Sequence, residues 1–233
     1  MTRNETRLAV TSVVRALAHR NHSKAVGLFF SLILTATTML VSLRPIAHGS
    51  TTAGDPTALV KETVGQVLEV LSDKQMSQEL RQRKVIEIVA GRFDFTDMAR
   101  SSLGYNWKKL STAQQGQFVP LFTAFMEDAY LDKIDSYSGQ KVQFVGQSAM
   151  EENTAEVKSV VQPVDSSDQP IQINYLVKQT EGDWKVYDVT VDDISITANY
   201  RNQFTRIIDE QGFDGLMTAM RKKQQELRQS IGA

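Results

Sequence analysis

Apolar positions recur with a helical period in the first part of the chain and with a strand period further on. Val60, Val64, Val67, Leu68 and Leu71 fall on one face of a helix opened by Asp55 as N-cap and Pro56 at the first helical position. A second helix is predicted from Ser77 to about Gly91, with Leu80, Val85, Ile88 and Val89 inward and Glu79, Arg81, Arg83, Lys84 and Glu87 on a solvated face. Thr96 and Asp97 read as the cap of a short helix through Ser102, inside a stretch rich in aromatic residues: Phe93, Phe95, Tyr105 and Trp107. Ser111 and Gln114 have the spacing of a capping box and open the longest helix, to about Ser136. Phe118, Leu121, Phe122, Phe125, Met126, Ala129, Tyr130 and Ile134 give that helix a wide apolar face, and Pro120 predicts a kink in it.

Gly139 marks the change of period. Lys141 to Met150, Thr154 to Val164, Ile171 to Thr180 and Trp184 to Val191 read as four strands joined by short turns, hence an antiparallel meander. Ile171, Ile173, Tyr175 and Val177 share one face of the third strand, whereas Gln172, Asn174 and Lys178 share the other with Leu176. Trp184 and Val186 on one parity, with Tyr187, Val189 and Val191 on the other, predict a last strand packed on both faces. The period then returns to helical at Tyr200, Phe204, Ile207 and Ile208. Gly212 stops that helix, and Leu216, Met217 and Met220 form a shorter stripe beyond it. The expectation is an α+β domain in which helices before and after a four-stranded antiparallel sheet cover its apolar face. Its helical part spans about 55–137, its sheet about 140–192 and its C-terminal helices about 195–229.

Composition adds an address. Ala25 to Leu43 is a run of 19 residues without charge, behind a leader carrying Arg3, Arg7, Arg15, Arg20 and Lys24. This is the layout of an export signal, and Ala47 and Gly49 place a cut after Gly49, leaving a single domain over 50–233. The rival is an uncleaved anchor, because the run approaches the roughly 20 residues that span a bilayer. Cleavage removes six of the 26 Lys and Arg residues and one of the 27 Asp and Glu residues, leaving a mature charge of −6. An acidic chain of this kind is poorly suited to nucleic acid or to passive adsorption on an anionic membrane. The cut also removes His19, His22 and His48, all three histidines, and the chain has no cysteine. Thiol and imidazole nucleophilic catalysis and the usual zinc sites are thereby excluded, and no disulfide holds the fold.

Several spaced motifs carry a resemblance. Trp184 to Asp188 with Val189, then Ser195, then Asn199 to Phe204, then Gly212 to Leu216, resemble the C-terminal signature of the MlaC, or toluene-tolerance, family of periplasmic phospholipid-binding proteins. Phe93 to Arg100, Leu103 to Trp107 and Phe122 to Tyr130 resemble its helical half, so the likeness runs from about Asp55 to Leu227. One position departs: Asp193 stands where the pattern commonly has glycine ahead of the Ile194 and Ser195 pair. The resemblance implies a curved sheet related to the nuclear-transport-factor-like (NTF2-like) cone, wrapped by helices around an apolar pocket, with phospholipid as cargo and no cofactor, metal or catalytic residue. It implies the periplasm of a Gram-negative bacterium as location. It implies as partners an inner-membrane ABC-transporter lipid-channel complex and an outer-membrane lipoprotein-porin complex.

The residues expected to hold acyl chains are Phe122, Phe125, Met126 and Tyr130 of the long helix, Val142 and Phe144 of the first strand, Ile173, Tyr175 and Val177 of the third, and Tyr200 and Phe204. For each of them ordinary core packing is the competing assignment. Arg201 is a candidate for the lipid phosphate, against an ion pair with Asp188 or Asp192. Arg221, Lys222, Lys223 and Arg228 form a basic run that is either a docking patch or a solvated helix surface. Two other readings stand beside the carrier: an envelope interaction or chaperone-like domain with an apolar groove, and an enzyme using Asp188 with Tyr175 or Tyr187 as acid and base.

Overall fold

The computed structural model describes residues 54–135, 137–151, 153–165 and 169–231; the leader and its cleavage point lie outside them. Asp55 accepts a hydrogen bond from the Thr57 N–H at 3.1 Å and starts α1 (Pro56–Ser72), which buries Pro56, Leu59, Val60 and Thr63. Its predicted stripe is therefore turned, with Val64, Val67, Leu68 and Leu71 left half-buried on its flank. Ser77 caps α2 (Gln78–Arg92). Of the residues expected inward there, only Val85 is buried, and Leu80 is instead exposed in the first turn. The cap of α3 (Phe95–Leu103) is Asp94 rather than Thr96 or Asp97, because its carboxylate accepts the Asp97 N–H at 2.8 Å. A 3₁₀ turn (Gly104–Lys109) leads to α4 (Thr112–Asp135). The Ser111 and Gln114 capping box is formed in both directions, and α4 continues through Pro120. Ile134 falls outside the residues whose side chains are described.

The meander is β1 (Lys141–Ala149), β2 (Thr154–Gln162), β3 (Ile171–Thr180), β4 (Asp183–Val191) and β5 (Ile194–Ser195), all antiparallel and in sequence order. The sheet thus has five strands, not four. The extra one is a two-residue return made possible by Asp192 and Asp193, both in left-handed backbone with φ 47° and 66°.

The last long strand corrects a second expectation. Register shifts between Leu176 and Val177 against β4, so that Tyr187 is an extra residue between the Val177–Val186 and Leu176–Asp188 pairs. This is a β-bulge, and it reverses side-chain parity. Trp184 and Val186 before it and Val189 and Val191 after it therefore meet the same apolar cluster. One face is apolar throughout, rather than two. A second bulge, at Val145 in β1, acts the same way, and the pair curves the sheet.

α5 (Ile196–Ile231) is broken at Gly212, whose φ of 72° and ψ of 179° suit glycine alone. Two apolar clusters result. One joins α3, α4 and α5 around Met98, Leu103, Phe118, Phe122, Phe204 and Leu216; the other joins α1 to the sheet face. Phe93 and Ile196 pack against both. Phe93 forms a parallel bridge with Val186 on the β4 edge, where β5 also pairs, so the helical cluster is anchored along that edge.

Candidate functional site

Paired antiparallel residues share a face, so the register sorts the apolar side of the sheet into four ranks. Ala149, Ala155, Val177 and Val186 form the first, and Gln147, Val157, Tyr175 and Val189 the second. Phe144, Ser159, Ile173 and Val191 form the third, and Val142, Val161 and Ile171 the fourth. α1 covers the first two ranks with Leu59 and Val60. Ala155, Val157, Val177 and Val186 are closed off beneath it. Exposure then grows along β2, β3 and β4: Ser159 is still buried, Ile173, Val191 and Val161 are half-buried, and Ile171 at the far end is 39% exposed. β1 runs the other way, with Ala149 and Gln147 exposed and Phe144 and Val142 half-buried. The three inner strands therefore slope from a sealed end to an open one.

The long-helix residues are placed differently. Phe122, Phe125, Met126 and Phe204 are buried in the helical cluster, with Phe122 in edge contact with Tyr200 at 6.5 Å and Phe125 with Tyr200 at 5.5 Å. Tyr130 keeps 37% of its surface, yet burial pushes its hydroxyl well above the ordinary phenol range, with Tyr200 and Asp188 adding to the shift. Burial likewise pushes Tyr200 and Tyr175 up to about 12, in Tyr175 against an opposing hydrogen bond with Ser159. All three phenols stay neutral at physiological pH.

The predicted set therefore divides. Phe144, Ile173 and Tyr175 belong with Val177 to the sheet cluster, while Phe122, Phe125, Met126, Tyr200 and Phe204 belong to the helical one. Val142 stands beyond both, in the fourth rank. Val161, Val191 and α1's Val64 share the sheet cluster or its open end without having been singled out. Their strand and helix parity was available in the sequence, but α1's position over the sheet was not.

The polar residues near the junction have structural work. Asp188, 6% exposed, accepts from the Val189 N–H, the Ser195 hydroxyl, and both the N–H and hydroxyl of Thr197, which ties β4 to the start of α5. Arg201 pairs with neither Asp188 nor Asp192: its Nε donates to the Ser101 carbonyl at 2.7 Å, and its stem crosses Gly104. A Cβ there would meet Arg201 Cδ at 2.8 Å, which with a φ of +54° requires glycine. Within the basic run, Arg228 donates to the buried Asp128 at 2.8 Å and Lys223 approaches Glu226 at 3.4 Å, leaving Arg221 and Lys222 exposed. One further cation lies against the sheet face: Lys61 of α1, with its ammonium 5.7 Å from the Phe144 ring centre.

A bulged, curved antiparallel meander with helices on its apolar face and along one edge is an α+β fold. The chain belongs to the MlaC family, whose MlaC protein model matches residues 61–222. The intermembrane phospholipid transport system binding protein MlaC of Haemophilus influenzae is 25% identical over 122 residues, which is 52% of this chain and 57% of that protein. The match thus spans little more than half of the relative's length. The phospholipid-binding protein of Ralstonia solanacearum, solved in complex with a phospholipid, superposes with a TM-score of 0.66 at 24% identity, over 75% of this chain and 99% of that one. At this identity the likeness bears on the fold. The family read from the motifs and the curved antiparallel sheet it implied are both found.

Proposed function

We propose that the protein is a periplasmic phospholipid carrier, delivered by its N-terminal signal, that shuttles lipid between outer- and inner-membrane complexes and so maintains outer-membrane asymmetry. The observation that carries the reading is the graded sheet face, sealed under α1 and open towards Ile171. Acyl chains laid on it are hidden from water while the headgroup stays at the open end. The tails rest on Phe144, Ile173 and Tyr175, with Val142 at the mouth and Tyr130 and Tyr200 on the helical side.

The energetics require partners. Two chains of about fifteen methylenes each, at about 0.8 kcal/mol per methylene, amount to roughly 24 kcal/mol of transfer from water. That is beyond the ceiling near 18–21 kcal/mol for non-covalent affinity, so escape into bulk water is not a route. Release needs an apolar acceptor that replaces pocket contacts evenly, such as the inner-membrane ABC-transporter lipid channel and the outer-membrane lipoprotein-porin complex. No chemical step is assigned: every contact around Asp188 serves the β4 to α5 junction, which leaves it a poor general base.

Native mass spectrometry of the gently purified mature domain, with extraction of what comes off, tests the reading. Discrete added masses equal to phospholipids are expected. A bare mass that incubation with lipid vesicles leaves unchanged would replace the carrier with an envelope interaction protein.

A further inference from the structure

α1 and β1 form a seam that can be followed residue by residue. At its start the Thr57 hydroxyl donates to Gln147 Oε1, and Gln147 lies, exposed, in the second rank of the sheet face. One helical turn later, about 5.4 Å along the axis, Lys61 holds its ammonium over the ring of Phe144 in the third rank. The next turn carries Val64, half-buried and packed against the sheet cluster. Lys61 is thus the cation of α1 that stands at the third rank, where β4 passes from the buried Val189 to the half-buried Val191.

Its electrostatic surroundings are incomplete. Among the described residues no carboxylate lies within ion-pair distance of Lys61, although the mature chain is acidic. The adjacent Glu62 faces Arg92 at 3.5 Å. Lys141, at the start of β1, lies on the opposite face of the sheet from Val142. An exposed ammonium resting on an aromatic face gains little. A phosphate oxygen offers it a charge-assisted hydrogen bond.

We propose that Lys61 binds the phosphate of the cargo lipid at the α1–β1 seam, setting the headgroup beside Phe144 on the open part of the face while the tails run inward over Ile173 and Tyr175. The proposal rests on the carrier reading. It makes Lys61, and not Arg201, the residue that discriminates a phospholipid from an uncharged diacyl lipid. Arg201 already gives its Nε to Ser101 on the α3 side of the molecule.

The test loads the mature protein and its K61A, K61E and K61R variants with phosphatidylglycerol, phosphatidylethanolamine or diacylglycerol of matched chains, and adds inorganic phosphate alone as a separate ligand. Relative to diacylglycerol, K61A is expected to retain phosphatidylglycerol about fivefold less well and K61E roughly tenfold less, with K61R close to wild type. Diacylglycerol retention should not change. An unchanged phospholipid to diacylglycerol ratio in K61E and K61A overturns the proposal, as does equal loss of all three lipids, which would make Lys61 a packing residue. Lys61-dependent binding of inorganic phosphate without lipid overturns it too, by showing a free-anion site. K61A removes only an exposed side chain, so the comparison stands even if K61E does not fold. A wild-type protein that takes up none of the lipids removes the carrier reading itself, whereas one that loads normally while K61E is indifferent removes only the role of Lys61.

Discussion

Asp193 sits at φ 66° with no side-chain hydrogen bond among the described residues, while Asp192 beside it accepts the Gln172 N–H at 3.0 Å and donates its own N–H to the Gln172 carbonyl. A left-handed L-residue costs roughly 1–2 kcal/mol, somewhat less for Asp, and glycine escapes that cost but loses up to about 1 kcal/mol of unfolded-chain entropy. Asp193→Gly is therefore expected to stabilise the domain by about 0.5 kcal/mol, read as a higher urea midpoint at unchanged slope. A lower midpoint would mean that the carboxylate of Asp193 has a stabilising contact in solution. At this scale the sequence was informative where the signal was local. The Ser111 and Gln114 cap, the Asp55 cap and the stop at Gly212 were all visible as residue types in order. Arg201 was not legible, since its partners Ser101 and Gly104 are brought to it only by the packing of α3 on α5.

Between elements, α3 is fastened to β3 by charge. Lys178 Nζ lies 2.9 Å from Asp94 and also contacts Asp97, which Arg100 contacts in turn. Burial alone would raise Asp94, but the Asp97 backbone N–H and Lys178 hold it below its ordinary 3.8. Burial alone would lower Lys178, but hydrogen bonds to Asp97 and Asp94 hold it above 10.5. The stabilisation from Asp94 is therefore present above pH 3.8 and lost as pH falls through its folded value. That from Lys178 is present below pH 10.5 and lost as pH rises through its own. Lys178→Met is expected to cost about 2 kcal/mol at neutral pH and to flatten the acid limb of a urea midpoint against pH profile. An acid limb as steep as wild type would place the titration elsewhere. The fault in reading β4 also lies at this scale. A change of parity inside a strand marks either two buried faces or a bulge, and only the register against Leu176 and Val177 separates them. Leu80 failed for a related reason: the periodicity of α2 shows which residues align, whereas α1 and α4 decide how much of that stripe they cover.

For the whole molecule, two clusters joined through Phe93 and Ile196 mean that residues alike in sequence have unlike duties. Phe122 has no exposed surface, so Phe122→Asp buries a charge in the helical cluster and is expected to cost about 4 kcal/mol or more, enough to threaten folding. Phe144→Asp, on the half-buried third rank, is expected to leave a folded protein that purifies with less than a tenth of the wild-type lipid. Circular dichroism and lipid extraction on the same samples check both, and a folded, fully loaded Phe144→Asp would take the third rank out of the tail site. Strand parity showed which side chains face inward, but the gradient along that face depends on where a helix some eighty residues earlier comes to lie. The gradient has a kinetic consequence. On a sloping, largely apolar surface the tails have no single contact that must break, so once the headgroup is released a tail slides out one methylene at a time at nearly constant free energy while an acceptor receives it. Any gap between the two mouths is then the barrier: each methylene stranded in water adds about 0.8 kcal/mol, or roughly a fourfold delay, so the speed of handover is governed by how closely the open end seats.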